Sequence, residues 1–393
     1  MCDAPSQQKM FPRLLLVSLL TLSLLAACGA ADSALGVIPP TPVPSATSTP
    51  QIPTPTAYAA ASNVLRVWLP TRFNPKTNPL LQARLDAFLA EHAGLKLDIR
   101  IKDETNILEA LHLTSLAAPA ALPDLIALPR TDMESAAALG LLQPLDASLL
   151  EGGDWVPAAR ALGRVRESVF GLPFALDALV LASSEPQAAT SWQEIGQAGT
   201  LTFDKSDSYF PLALYLAADG ALTDADGNPA LDEVTLTRVL GMFAHEGVVA
   251  ADSAEQVRAS LGQGGGFAVG WASGFLNGGT AQVQMEALPG LGGPPATLVT
   301  SWDLAVAGQD VEHQKLAAAL ASWLTDGEFL SAWDQSTGYL SPRRATTIFD
   351  SSRVVPPVEI VEVIAPLLRD AVASVLAGVP PEVAAHTAVA RLK

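Results

Sequence analysis

Cysteine is almost absent from this sequence: in 393 residues only Cys2 and Cys28 occur. Two thiols that far apart make neither a Cys-x-x-Cys redox or zinc motif nor a disulfide framework. Positive charge is also short, with 23 Lys and Arg against 40 Asp and Glu and a formal net charge of -17. Such a surface repels nucleic-acid phosphates, so nucleic acid is excluded as a partner class. The histidines, His92, His112, His245, His313 and His386, are scattered and lack the i, i+4 pairing of a zinc hydrolase. A Gly-x-Ser-x-Gly elbow and a lysine-bearing phosphate loop are missing too. Gly264-x-Gly266 with Gly270 runs on into a β-rich stretch, where a phosphate site needs a helix N-terminus. Asp224-x-Asp226-Gly227 with Glu233 imitates the later half of a calcium loop, but Leu222 stands where the first carboxylate ligand belongs. Asp, Asn and Gly here read as a surface turn. The expectation is no cofactor and no metal site. Two acids from distant strands meeting in a cleft, as glycoside hydrolysis requires, stay open.

Apolar residues make up 49% of the chain, enough for more than one core at this length. The first apolar block is Leu14 to Ala27, flanked by Lys9 and Arg13 and too short for a comfortable membrane span. It reads as a secretory leader starting from Met1 or equally from Met10. The block ends in Leu25-Ala26-Ala27-Cys28-Gly29, which resembles the bacterial lipobox. That resemblance implies cleavage before Cys28 and a diacylglycerol on its sulfur, so residues 1–27 are expected to be a lipoprotein signal peptide. Residues 28–62 then form a tether, because Pro39 to Thr56 is a run of Pro, Ser and Thr that favours extended polyproline II structure. A glycosylated stalk is a compatible alternative.

The folded part starts near Asn63. Val64 to Leu69 reads as a strand, Leu80 to His92 carries apolar residues at helical spacing, and Leu95 to Ile101 alternates as a half-buried strand does. Ile107 to Leu116, Leu122 to Leu128 and Met133 to Gly140 continue as helix, strand and helix. Alternation of this kind predicts an α/β fold with a parallel-type sheet. Phe170 to Leu181 is a long apolar run suited to a strand connecting two lobes, and Asp177 is the one carboxylate in it. A buried lone carboxylate is costly, so Asp177 must be paired or face a solvated cleft.

Three later segments carry a resemblance. The first is Leu222-Thr223-Asp224-Ala225-Asp226-Gly227-Asn228-Pro229-Ala230-Leu231-Asp232, with a helix ending in His245-Glu246-Gly247-Val248-Val249. The second runs from Leu261 through Gly264-Gly265-Gly266-Phe267-Ala268-Val269-Gly270-Trp271. The third runs from Ser301-Trp302-Asp303-Leu304-Ala305-Val306 through His313 to Leu324, Phe329-Leu330 and Trp333, to Gly338-Tyr339-Leu340-Ser341-Pro342-Arg343-Arg344. Together they resemble the sugar-binding type of extracellular solute-binding protein, the maltose-binding-protein-like substrate-capture subunits of ABC importers. The resemblance implies a two-lobed, type II periplasmic-binding-protein fold with hinge strands and a ligand cleft between the lobes. The implied division is residues 63–175 for the first lobe and 176–298 for the second. Residues 299–393 then supply a returning hinge strand and helices packing mainly on the first lobe.

Sugars offer apolar C–H faces and many hydroxyls, so a site needs aromatic platforms and hydrogen-bonding side chains. Trp271 and Trp302 are the leading candidates, followed by Asp177, Arg72 and Tyr339, with Trp68 and Asp132 beside them. Most follow the ends of predicted strands, where α/β sheets place their crevices. Trp192, Trp323 and Trp333 lie in helical patterns and read as core, and Trp155 has no assigned place. The expected function is capture of a small solute, a sugar first, by hinge closure without chemistry. The implied partners are an ABC permease and, through the lipid on Cys28, the outer face of the cytoplasmic membrane; the expected state is a monomer. The alternatives are a lipid-anchored carbohydrate-active enzyme and a degenerate binding protein serving as scaffold or sensor.

Overall fold

The computed structural model describes residues 63–184, 191–263, 266–277 and 283–392. The leader, the lipobox with Cys28, the tether and the Gly264-Gly265 pair lie outside them. The chain first lays down β1 (Val64–Pro70), α1 (Pro79–Glu91), β2 (Lys96–Lys102), α2 (Ile107–Ala117), β3 (Leu125–Pro129) and α3 (Arg130–Ala138). Two short helices, α4 (Ser148–Glu151) and α5 (Pro157–Leu162), and a hairpin of β4 (Arg164–Val165) and β5 (Ser168–Val169) lead to the long β6 (Gly171–Ser183). The second lobe follows as α6 (Trp192–Ala198), β7 (Thr200–Asp204), α7 (Tyr209–Ala217), α8 (Glu233–Phe243), β8 (Val248–Ala251), α9 (Ala254–Ser260), β9 (Gly266–Trp271), α10 (Ala272–Leu276) and β10 (Gln284–Glu286). The chain returns through β11 (Thr297–Val306) to α11 (Val311–Leu324) and α12 (Gly327–Thr337), and ends with β12 (Ser352–Val354), α13 (Val358–Leu376) and α14 (Pro381–Ala390).

Local chemistry sets several of these boundaries. The Asn78 side chain accepts the Leu81 N–H at 3.0 Å to start α1, and Pro79 at the first helical position loses no helical hydrogen bond. In β1, Leu65, Val67 and Leu69 face one layer and Trp68 the other, the two-residue period of a pleated strand. The α1 residues Leu81, Leu85 and Phe88 cover the first of these faces. Burying each such side chain contributes roughly 1.5–3 kcal/mol.

The strands run in the order β2-β1-β3-β11-β6-β9-β7-β8. The outer strands of each half are parallel, β1 with β2 and β3 in one and β7 with β8 and β9 in the other. Two antiparallel strands, β11 and β6, join the halves. β6 serves both: Gly171 to Ala178 pair with β11, and Leu179 to Ser183 pair with β9. Its register against β11 slips by one at Phe174, next to Pro173, which has no N–H to give to the ladder. Asp177 therefore sits where the strand passes from one half to the other.

The C-terminal helices divide between the lobes. The α11 and α12 residues Ala317, Leu320, Leu324 and Leu330 share a core with α1. In α13 and α14, Val361, Ile364, Leu368, Ala384 and Ala388 share a core with Leu214 of α7 and Leu236 and Leu240 of α8. The expectation that residues 299–393 pack mainly on the first lobe is corrected for these last two helices. Their apolar stripes match the second lobe, which the chain reaches after β12, itself paired with the hinge strand β11. Pro366 does not interrupt α13, which runs through it.

Candidate functional site

The parallel strands of both halves end at the same central crevice; Arg72, Asp132 and Trp271 stand at those ends, while Asp177 and Trp302 lie within the antiparallel β6 and β11 and Tyr339 follows α12. After β1 a single 3-10 turn, Thr71–Phe73, leaves Arg72 partly exposed and turns Phe73 fully inward. The Arg72 guanidinium pairs with Glu104, which follows β2, and donates to the Tyr339 hydroxyl. It lies 5.0 Å from the centroid of the Trp302 ring. Phe73 props this group from behind, 5.4 Å edge-on to Trp302 and 5.8 Å from Tyr339. Burial works against the Arg72 charge, but the hydrogen bonds to Glu104 and Tyr339 outweigh it and hold the guanidinium firmly protonated. Burial raises the Tyr339 phenol, with Arg72 pulling the other way.

Asp177 stands next in line. Its carboxylate accepts the N–H of Ala178 and the N–H of Ser273, both at 3.0 Å, and the Ser273 hydroxyl at 2.5 Å. These bonds answer the cost of a charge in an apolar strand. They do so incompletely, since burial still pushes the carboxyl up to about 6. Ser273 lies two residues beyond Trp271, so Asp177 binds the hinge strand to the segment that carries the second aromatic platform.

Trp271 closes β9 and is partly exposed. Tyr209 meets its ring edge-on at 5.4 Å. Asp207 accepts the Tyr209 N–H at 2.7 Å and a hydrogen bond from the Trp271 side chain. Burial, reinforced by Asp204, pushes Asp207 up to about 6. The opposite side is formed by α3. Burial, and after it Glu362 of α13, pushes its Asp132 up to about 6. The Tyr209 phenol is raised by burial and by the charges of Asp207, Glu134 and Asp132, which places acids of both lobes around one hydroxyl.

The structure thus gathers Arg72, Trp302 and Tyr339 on the side of the first lobe, with Asp132 of α3 on that lobe too, and Trp271 on the side of the second, while Asp177 on the hinge strand is bonded to Ser273 beside Trp271. Trp68 is a correction. It is 1% exposed, packs with Ile126 and Leu128 on the opposite face of β1, and carries the Lys102 ammonium 3.9 Å above its ring. The pleat explains this, because the residue next to Leu69 must point to the other side of the sheet. Trp333 is core, whereas Trp192 and Trp323 are only partly buried, each donating its indole N–H to a backbone carbonyl. Trp155 is buried under Arg343.

Sequence reasoning missed Glu104, Asp207, Tyr209, Ser273 and Glu362. The first four follow the ends of β2, β7 and β9, so the strand-end rule applied to every strand finds them. Glu362 lies one turn into a helix that pattern alone does not bring to the crevice. Among the described residues no cluster of three or more His, Cys, Asp or Glu side chains suits a metal ion. The Asp224 carboxylate closes its own turn instead, accepting the N–H groups of Asp226 and Asn228, each at 2.9 Å. Among the described residues no helix is long and apolar enough to cross a membrane.

The arrangement resembles known proteins at two levels. Residues 83–347 match the family described as bacterial extracellular solute-binding protein. No curated protein matches the chain at the sequence level. Among solved structures, the sugar-binding protein MalE from Xanthomonas citri is similar with a TM-score of 0.71 at 16% identity, covering 84% of this chain and 96% of that one. The GacH receptor of Streptomyces glaucescens, solved unliganded and with acarbose, is similar at a TM-score of 0.66 and 16% identity over 84% and 97%. An ABC transporter solute-binding protein from Agrobacterium radiobacter, in complex with ribitol, gives 0.62 and 17% over 84% and 98%. At these identities the likeness establishes the fold, the two-lobed architecture with a large shared sheet.

Proposed function

The chain belongs to the bacterial extracellular solute-binding proteins, and from that premise we propose that it captures a carbohydrate for an ABC importer by closing its two lobes. The observation that carries the reading is the pairing of two partly exposed indoles, Trp302 and Trp271, on opposite sides of the crevice, each beside fixed polar groups. A sugar ring laid against such faces buries its C–H side while its hydroxyls meet Arg72, Tyr339, Asp177, Asp132 and Asp207. Asp177 is held by backbone and hydroxyl hydrogen bonds, and Asp207 by the Tyr209 N–H and the Trp271 side chain, which suits recognition. The same reading gives Cys28 the anchoring lipid, residues 28–62 the tether, and an ABC permease as the partner that receives the solute. The protein acts as a monomer on the outer face of the membrane.

The test is a thermal-shift and tryptophan-fluorescence screen against mono-, di- and oligosaccharides, glycerol phosphates, polyamines and amino acids. A saturable shift with one sugar class, and that sugar recovered unchanged by mass analysis, is the expected outcome. Recovery of cleaved sugar replaces capture with hydrolysis, and a shift with only amino acids or polyamines removes the carbohydrate assignment.

A further inference from the structure

Trp302 and Trp271 are fixed in the sheet by unequal means. Trp302 lies inside β11 and is paired on both flanks, with Pro129 of β3 and Ala175 of β6. Trp271 is the last residue of β9 and is paired on one flank only, with Leu179 of β6, because the ladder with β7 stops at Val269. Beyond it the chain turns at once into α10, a helix of five residues whose N-cap, Trp271 itself, gives no side-chain hydrogen bond. The first donors of such a helix need an acceptor from elsewhere. Asp177 supplies it. The β6 strand changes partner just here, Asp177 pairing with Thr300 of β11 and Leu179 with Trp271. From that position Oδ1 of Asp177 accepts the Ser273 N–H at 3.0 Å, and Oδ2 accepts the Ser273 hydroxyl. Oδ1 also accepts the Ala178 N–H, again at 3.0 Å, which steadies the carboxylate against its own strand. One side chain thus carries the pairing of β6 with this segment two residues past the point where the backbone ladder ends.

We propose that Asp177 is a positioning residue for Trp271: through Ser273 it fixes where β9 ends and α10 begins, and so fixes the backbone from which the second aromatic platform projects. The inference rests on the solute-capture reading above, which gives that platform its use. The other supports act on other parts of the segment. Tyr209 and Asp207 hold the indole ring and its N–H. Ala272 and Phe275 bury α10 in the core, with the Phe275 ring laid over Gly270, where a Cβ would come within 3.2 Å of it. Apolar packing of this kind is non-directional, whereas two hydrogen bonds to one carboxylate set the direction of the helix start. The role needs an acceptor for the Ser273 N–H rather than a negative charge. An asparagine in the same rotamer keeps that acceptor at Oδ1, and its amide donates to the Ser273 hydroxyl where the carboxylate accepted from it. An ionised carboxylate offers about four acceptor positions, of which Ala178 and Ser273 take three, so one is left for a solute hydroxyl. Removing the charge alone tests the last of these uses, and removing the side chain tests the first three.

The experiment labels the full chain with fluorotryptophan and reads its fluorine NMR spectrum without solute. The seven tryptophans give seven resonances, and those of Trp271 and Trp302 are assigned by their loss in Trp271→Phe and Trp302→Phe. Asp177→Ala should displace the Trp271 resonance by more than its linewidth and enlarge its solvent isotope shift, with the Trp302 resonance and the other five in place. Hydrogen exchange at the Ser273 amide should quicken about tenfold or more in the same protein. Asp177→Asn should keep the parent's Trp271 resonance and its slow exchange, which is the rescue a positioning role demands. Ser273→Ala deletes the hydroxyl bond and keeps the N–H, so it should displace Trp271 by a smaller amount in the same direction. A Trp271 resonance that Asp177→Ala leaves in place overturns the proposal, as does an Asp177→Asn protein that matches Asp177→Ala. Movement of all seven resonances together overturns it too, because Asp177 then supports the fold at large. Where Asp177→Ala fails to fold, Ser273→Ala decides alone, and an unmoved Trp271 resonance counts against the role. Since no solute is present, any of these failures leaves the solute-capture reading standing, and an empty solute screen leaves the Asp177 measurement standing.

Discussion

The two sides of the crevice use the same parts in opposite electrical states. Near Trp302, the aromatic face is accompanied by a guanidinium already committed to Glu104 and Tyr339. Near Trp271, the aromatic face is accompanied by Asp207, Tyr209 and, from the opposite lobe, Asp132, whose carboxyls burial pushes up to about 6. The first side is pre-organised, its donors and acceptors matched to one another before any solute arrives. On the second, Asp207 already accepts the Tyr209 N–H and the Trp271 side chain, but Asp132 has no hydrogen-bond partner among the described residues, so a solute hydroxyl placed there satisfies a group that the protein leaves under-bonded. Affinity should therefore be concentrated on the Trp271 side, and the Trp302 side should act mainly as a platform.

That asymmetry is sharpest under truncation. Trp271→Ala removes the platform and the side-chain donor that holds Asp207. A buried aromatic anchor is commonly worth 2 kcal/mol or more to binding, so affinity for the solute found in the screen should fall about 30-fold or further by calorimetry. Arg72→Met should cost less, about tenfold. Its guanidinium shares its hydrogen bonds with Glu104 and Tyr339 in the free protein, and breaking them is part of what a solute must do. A larger loss for Arg72→Met than for Trp271→Ala breaks the comparison and moves the centre of recognition to the other side.

How much of this was legible in the sequence depends on which periodicity carried the information. The strand-helix-strand opening, the long apolar strand through Asp177 and the strand ending in Trp271 follow from local pattern, and they emerge as β1, α1, β2, β6 and β9. Trp68 fails because position near a strand end does not say which face of the pleat a side chain takes; Leu69, its neighbour, faces the α1 layer. The destination of α13 is equally hidden. Its amphipathic stripe says that one face is buried, and only the topology of β11 and β12 says against what. Glu134, Glu362 and the buried Asp303 belong to this class of residue. Their partners, Val358, Asp132 and Arg130, come from elements brought together by tertiary packing.

The smallest effect lies behind the Trp302 side. Asp334 of α12 is buried next to Trp333, which packs on Phe73 and so supports Trp302 from beneath. Neither Asp334 oxygen makes a well-formed hydrogen bond, and the nearby Ser341 hydroxyl only partly offsets the burial that pushes its carboxyl up to about 8. An acid whose pKa is raised on folding is fully accommodated below its unfolded value of about 4. The native state then loses stability as pH rises through the folded value, because the unfolded chain releases the proton first. Asp334→Asn removes that titration. Its gain in Tm should be near zero at about pH 4, grow with pH, and level off above about pH 8, at about 2–4 °C for each kcal/mol recovered. Differential scanning calorimetry across that range separates this from simple packing loss, which lowers Tm by a similar amount at every pH. If Asp334→Asn behaves in the second way, Asp334 is held by contacts that its neutral form and an amide do not share. The rigidity assigned to the Trp302 side then rests partly on that carboxylate rather than on Phe73 and Trp333 alone.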